Sequence, residues 1–181
     1  MAFLQHASTA TLLAQASHEA RQVLSWALEA FEDEVVLGVS RDLQGLVLLD
    51  LCRQARRTPP VVLLDEEPYL EGAATQLEFI EAHLGVQARR VHGDALPWPG
   101  SLRASLGQAR AWITGADGAP GRPRDGVEII SWDREHRLIR VQPLASWSRR
   151  DALDYVERHG LSPGAWTRGS GQAPASMRVL L

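Results

Sequence analysis

The chain has 181 residues, enough for one domain with a sizeable core. Hydrophobic residues make up 45% and charged residues 23%, an ordinary globular balance, and the formal net charge of -3 argues against general nucleic-acid binding, which needs a basic surface. The single cysteine, Cys52, excludes an internal disulfide, a cysteine-rich zinc site and an iron–sulfur cluster within these residues.

The N-terminal residues lack a basic stretch followed by an unbroken apolar one, so no signal peptide is read there, and no apolar run approaches a membrane span. The expectation is a cytoplasmic protein with no membrane and no nucleic-acid partner. Residues 9–31 read as an amphipathic helix, with Leu12, Leu13, Ala16, Ala20, Val23, Leu24, Ala27 and Leu28 at helical spacing and Ser8 or Thr9 as its cap. Residues 34–39 form a valine-rich run expected as a buried strand, and residues 43–57 turn helical again before Pro59 and Pro60. Residues 61–64 read as a second buried strand ending in Asp65. A helix follows from Pro68 to about His83, closed by Gly85.

Residues 88–92 read as a third strand. The loop 94–100 holds Trp98 between two prolines, and a short helix is expected at 101–107. Residues 111–114 read as a fourth strand ending at Gly115. Residues 116–126 lack apolar periodicity and read as a long loop. Residues 127–132 and 138–141 are strand-like around a charged turn and can pair as a hairpin. Residues 148–159 read as a last helix, capped by Ser148 with Asp151 in its first turn and ended by Gly160. From Ser162 on, composition is rich in Gly, Ser and Pro and reads as a poorly ordered tail, so the chain divides into a domain of residues 1–165 and a tail of residues 166–181.

Strands alternating with helices imply βαβ units and a mainly parallel sheet flanked by helices, a three-layer α/β sandwich with a small edge hairpin. In such sheets ligands bind beyond the carboxyl ends of the strands. That rule selects residues 40–44, 65–68 and 115–124 as the lining of one crevice.

Four segments at these places carry a resemblance. They are Val35-Val36-Leu37-Gly38-Val39-Ser40 with Leu46-Val47-Leu48-Leu49-Asp50-Leu51, then Val61-Val62-Leu63-Leu64-Asp65, then Ala111-Trp112-Ile113-Thr114-Gly115, and finally Val141-Gln142-Pro143-Leu144-Ala145-Ser146-Trp147-Ser148. In order and spacing, over about residues 20–165, they resemble the PAPS/APS reductase family of the adenine-nucleotide alpha-hydrolase-like (PP-loop) fold. The family versions read much like "MVLLDL", "VFFLDTG", "AWITG" and "VNPLADWT". The resemblance implies that fold, a role related to sulfate assimilation, an adenine nucleotide as ligand and a homo-oligomer. On it, Gly38, Ser40, Leu64, Asp65 and Gly115 would frame an adenosine, and Arg124 would reach its phosphate.

The departures from the family pattern fall on its chemistry. The loop after Ser40 reads Arg41-Asp42-Leu43-Gln44-Gly45, and Asp42 puts a carboxylate where backbone N–H groups would hold phosphate, capping the helix instead. Glu66 and Glu67 follow Asp65 where the family has Thr-Gly. Asp117 and Gly118 stand where it carries an arginine pair, leaving Arg122 and Arg124. The family's nucleophilic cysteine near the C-terminus and the paired cysteines of its APS-type members have no counterpart here, and Cys52 reads as a packed core thiol. No catalytic residue, metal ligand or cofactor is therefore assigned. The expectation is a reductase-like protein without reductase activity that at most binds an adenine nucleotide. Two alternatives stay open: a non-catalytic partner or scaffold subunit with a vestigial crevice, and metal-assisted nucleotide hydrolysis through Asp42 and the carboxylates of residues 65–67.

Among the remaining residues, the six histidines show no metal-ligand spacing, and His92 is placed near the crevice by the end of its strand. Trp112, Trp132 and Trp147 read as core anchors with N–H partners, and Trp98 and Trp166 as interface candidates.

Overall fold

A computed structural model describes residues 2–65, 73–85, 87–92, 104, 106–115 and 128–166. The chain opens with helix α1 (Ala2–Phe31), and a short 3-10 turn, Glu32–Glu34, leads into strand β1 (Val35–Ser40). The succession continues α2 (Leu43–Ala55), β2 (Val61–Asp65), α3 (Ala73–Leu84), β3 (Ala88–His92) and β4 (Ala111–Ile113). It closes with the hairpin β5 (Ile130–Asp133) and β6 (Leu138–Val141), helix α4 (Arg149–Arg158) and a single turn, α5 (Pro163–Trp166).

The six strands form one sheet in the order β3-β2-β1-β4-β6-β5. All neighbours pair parallel except β5, which runs antiparallel to β6 at the edge. The mainly parallel sheet flanked by helices and the edge hairpin follow from the alternation read in the sequence. β1 is buried along its length because it lies mid-sheet between β2 and β4. Its residues alternate between two clusters, as strand geometry dictates. Val35, Leu37 and Val39 join the large cluster with α1, α2, α3 and α4, while Val36 joins Val62, Leu106, Trp112 and Leu138 on the opposite face. None of the described helices is long and apolar enough to cross a membrane.

Several boundaries differ from expectation. α1 begins at Ala2, so Ser8 and Thr9 lie inside the helix and do not cap it. Its buried stripe of Ala20, Leu24, Ala27 and Leu28 matches the periodicity. α2 stops at Ala55 because Arg56 adopts a left-handed conformation, φ 55°, and its N–H returns to the Arg53 carbonyl. Pro68 and the loops 94–100 and 116–126 lie outside the described residues. At the expected helix 101–107 only Ala104 and Leu106 are described as helical. Trp132 is 57% exposed and is not a core anchor, because β5 has a neighbour on one side only. Trp112 and Trp147 are core residues as expected, but among the described residues their indole N–H groups find no hydrogen-bond partner. Trp166 is fully buried against Phe79 rather than presented at an interface, and the Gln76 amide donates to its carbonyl.

Two buried carboxylates hold the helical layer and the hairpin. Asp50, fully buried on α2, accepts from Arg53 Nη2 at 2.8 Å, Gln54 Nε2 at 2.7 Å and Tyr155 Oη at 2.9 Å. His83 Nε2 and His159 Nδ1 face it, each at 3.7 Å, and Arg21 of α1 donates to Gln54. Burial acts to raise its pKa, but the facing His83, Arg53, Tyr155 and Gln54 together hold it well below the usual carboxylate range. Asp133 in the hairpin accepts from the His136 backbone N–H, His136 Nδ1 and Arg140 Nη2. Burial opposes these donors, which prevail and lower its pKa from 3.8 to about 2.

Both folded-state values lie below the unfolded ones. The stabilisation is therefore complete above the unfolded pKa of 3.8 and is lost as the pH falls through that value toward 2. Urea unfolding should show stability declining between pH ~5 and ~2. Tyr155→Phe, which leaves Asp50 one donor short, should cost about 1.5–3 kcal/mol at neutral pH.

Candidate functional site

β1 lies where the sheet's connections reverse direction. From β1 the chain moves through α2 to β2 and on to β3, whereas β4 lies on the other side of β1. The carboxyl ends of β1 and β4 therefore flank the topological switch point, the place where open α/β sheets bind ligands. The expected residues of β1, β2 and β4 do reach this edge. Ser40 pairs in register with Leu64, Asp65 follows and pairs with His92, and Gly115 lies two residues beyond β4.

The β1–α2 turn is closed by its own side chain. Asp42 is the N-cap of α2, and its Oδ1 accepts from the Gly45 N–H and from Ser40 Oγ, both at 2.8 Å. The Asp42 carbonyl accepts from Trp166 Nε1 at 2.7 Å, so α5 is fastened to the same residue. Gly45 has a steric reason that the sequence did not announce: a methyl there would overlap the Ser40 carbonyl oxygen. Gly38 is similarly crowded, because a methyl on it would lie 3.2 Å from Trp112 Cε3 and 3.4 Å from Leu64 Cδ1.

Two residues of this edge were not singled out in advance. Gln44, buried in the first turn of α2, has its Oε1 3.1 Å from where a methyl on Gly115 would sit. Gln142, buried just after β6, donates through Nε2 to the Gly115 carbonyl at 3.1 Å. Gln142 falls in the segment Val141–Ser148, where the family pattern places an asparagine, and that amide was the available signal. Through that bond Gln142 fixes the end of β4 to the segment after β6. Ser40, Gln44, Gly115 and Gln142 thus surround the switch point with neutral polar groups, and the one described carboxylate in the β1–α2 turn is Asp42.

Of the other expected residues, Asp65 is described only through its backbone in β2, as is His92 in β3. Arg122, Arg124, Glu66, Glu67 and Trp98 lie outside the described residues. Among the described residues no group of three or more His, Cys, Asp or Glu side chains is arranged to hold a metal. Cys52 is fully buried on α2, as expected of a core thiol, and burial pushes its pKa up to about 12. A cluster bound by four thiolates does not fit a chain with this one cysteine. A cavity of about 440 Å³ lined by Glu29, Phe31, Glu32, Glu34 and Arg110 opens at the amino ends of β1 and β4, away from the switch point.

No family model matches the chain. Among curated proteins it is similar to the adenosine 5'-phosphosulfate reductase of Bacillus cereus, 31% identical over 168 residues, covering 78% of this chain and 71% of that protein. The reductase of the same name from Bacillus mycoides is 29% identical with the same coverage, and that from Salinibacter ruber 24% identical over 80% and 66%. Among solved structures it is similar in fold to phosphoadenylyl-sulfate (PAPS) reductase from Candida auris in a phosphate complex, with TM-score 0.59 and 17% identity over 80% of this chain and 81% of that one. It is likewise similar to the NH3-dependent NAD synthetase of Campylobacter jejuni, with TM-score 0.58 and 10% identity over 89% and 79%.

The geometry makes two outcomes checkable. Gly45→Ala should destabilise the protein by about 1–3 kcal/mol, because the strand end must move to admit the methyl; unchanged urea unfolding would contradict the close approach. Cys52 should resist a thiol reagent in the native protein at neutral pH and react readily once unfolded.

Proposed function

The chain belongs to the APS/PAPS reductase family, and from that premise we propose that it binds an adenine nucleotide at the β1/β4 switch point without carrying out thiol-dependent reduction. On this reading Gly38, Ser40, Leu64, Asp65 and Gly115 frame the adenosine, and Arg124 reaches a single phosphate. The observation that carries it is the capped turn: the Asp42 carboxylate already takes the Gly45 N–H and the Ser40 hydroxyl. An anion binding at a helix N-terminus relies on free N–H donors and on the positive end of the helix. A carboxylate seated there removes a donor and repels a polyanion. The ligand this favours is one whose base and sugar carry the contacts, with little charge near α2.

The sealed thiol points the same way. Attack on a sulfonucleotide sulfur needs an exposed, ionised cysteine, and Cys52 is neither exposed nor near its ionisation range at neutral pH.

Thermal unfolding with AMP, ATP, APS and PAPS tests the reading. AMP should raise the melting temperature, by a shift equivalent to about 2.7 kcal/mol at a hundredfold excess over Kd, and PAPS should raise it less. Asp42→Asn keeps an N-cap of similar quality but removes the charge. It should leave the unliganded protein's stability nearly unchanged and improve PAPS affinity by about fivefold, ~1 kcal/mol, the worth of one charge at a helix end. Sulfite release from PAPS with thioredoxin should be absent. If no nucleotide shifts the melting temperature, the crevice is vestigial and the scaffold alternative takes over.

A further inference from the structure

Trp166, far along the chain, reaches back to the turn between β1 and α2. It closes α5 with its side chain fully buried, and its indole Nε1 donates to the Asp42 carbonyl at 2.7 Å. An indole N–H can only donate, so this carbonyl is what satisfies it. The same carbonyl opens the hydrogen-bond ladder of α2, accepting from the Leu46 N–H at 3.3 Å. Of the two bonds, the one from Trp166 is the shorter.

Trp166 is itself held from α3. Gln76, fully buried, donates through Nε2 to the Trp166 carbonyl at 3.0 Å, and the Phe79 ring packs on the indole with 5.6 Å between centroids. Phe79 stacks in turn on His83, which faces Asp50 of α2. Ring and backbone of Trp166 are thus fixed by different partners. Fixing a carbonyl fixes the peptide plane it belongs to. At Asp42, whose backbone is extended with φ -113° and ψ -177°, that plane sets the entry into α2, and the carboxylate leaves from the same Cα. Its reach to the Gly45 N–H at 2.8 Å follows from where the carbonyl is held.

We propose that Trp166 is a positioning residue of the crevice. It holds the Asp42 peptide so that the carboxylate stays on the N-terminus of α2, and thereby sets the preference for a singly phosphorylated nucleotide over a polyanionic one. The inference rests on nucleotide binding at the switch point. Trp166 touches no ligand on this reading and acts through Asp42. A carboxylate opposes an incoming anion at a helix end only while it stays there, because the coupling of charge to a helix terminus fades within one turn. Removing the indole N–H leaves the Asp42 carbonyl with the longer Leu46 bond, so the cap opens more often and its charge guards the turn less.

Trp166→Phe on the full chain tests this, since it keeps an aromatic ring beside Phe79 and leaves the Gln76 bond to the backbone in place. In the unliganded variant the Gly45 N–H should exchange with solvent about three- to tenfold faster. Calorimetric titration with AMP and PAPS should show the ratio of the two affinities moving about two- to threefold toward PAPS, part of the change given by Asp42→Asn. In the Asp42→Asn background Trp166→Phe should leave that ratio where it is, because the charge it positions is gone. If Trp166→Phe unfolds the chain, a tryptophan isostere with sulfur in place of the indole nitrogen at position 166 keeps the ring volume and removes the same N–H, and the same outcomes apply. Unchanged Gly45 exchange, AMP and PAPS weakened alike, or an effect on the ratio that adds in full to Asp42→Asn would each overturn the proposal. A wild type that binds neither nucleotide would instead sink the nucleotide reading, with Gly45 exchange still deciding whether Trp166 holds the cap.

Discussion

The structure turns on a carboxylate placed at the start of α2. A helix N-terminus at the carboxyl end of a central strand concentrates unsatisfied N–H groups and positive potential at one point. In this chain Asp42 answers that need internally, holding the Gly45 N–H and the Ser40 hydroxyl at 2.8 Å each. The same residue's carbonyl receives the Trp166 indole. Gly45 lets the first turn of α2 lie on the Ser40 carbonyl. Strand end, helix start and the α5 turn are thus locked by one residue at the place where a parallel sheet would accept an anion. The cap therefore stabilises the turn from within the chain.

Asp50, two turns further along the same helix, does a different job by the same chemistry. A carboxylate removed from water costs several kcal/mol unless donors surround it. Arg53 and Gln54 come from its own helix and Tyr155 from α4, with His83 of α3 and His159, at the end of α4, facing it. The donors are spread over three elements, so the charge specifies how α3 and α4 sit on α2. Asp133 plays the equivalent part in the hairpin, where its hold on His136 and Arg140 sets the His136 ring and the Arg140 cation against Trp112. α2 is therefore pinned at both ends, by a cap at its start and by a buried charge in its second half, and the crevice inherits its rigidity.

Most of the fold was legible because parallel strands buried on both faces read as unbroken apolar runs. Val35–Val39 and Val61–Leu64 are such runs, the second preceded by Pro59 and Pro60, whereas the edge strand Ala88–His92 carries Arg89 and Arg90; Asp42 and Ser148 announced their caps through side-chain chemistry. Periodicity says which residues share a face but not which strand ends the sheet. Trp132 was read as core for that reason, although its strand has no outer neighbour. Trp166 failed in the opposite sense: a Gly/Ser/Pro-rich stretch reads as solvated, while one indole in it fills a gap beside Phe79. The Asp50 network joins residues more than a hundred positions apart, and no local pattern carries that separation. At the crevice, Ser40 and Gly115 could be found from strand ends and the likeness to a family pattern. Gln44 lay within the crevice segment and Gln142 within a family-like segment, but their burial beside Gly115, and the Gln142 bond to its carbonyl, came from the packing of α2 and β6 against the end of β4.

The same packing governs the chain's one thiol. Burial pushes the Cys52 thiol up to about 12, so its ionised form is strongly disfavoured at neutral pH. Cys52 is fully buried within the large cluster that α1, α2, α3 and α4 share with the sheet. Exposing it would require α2 to move, which would disturb the Asp42 cap and the donors around Asp50 on the same helix. The barrier lies in the packing of the helix and not in the identity of one residue.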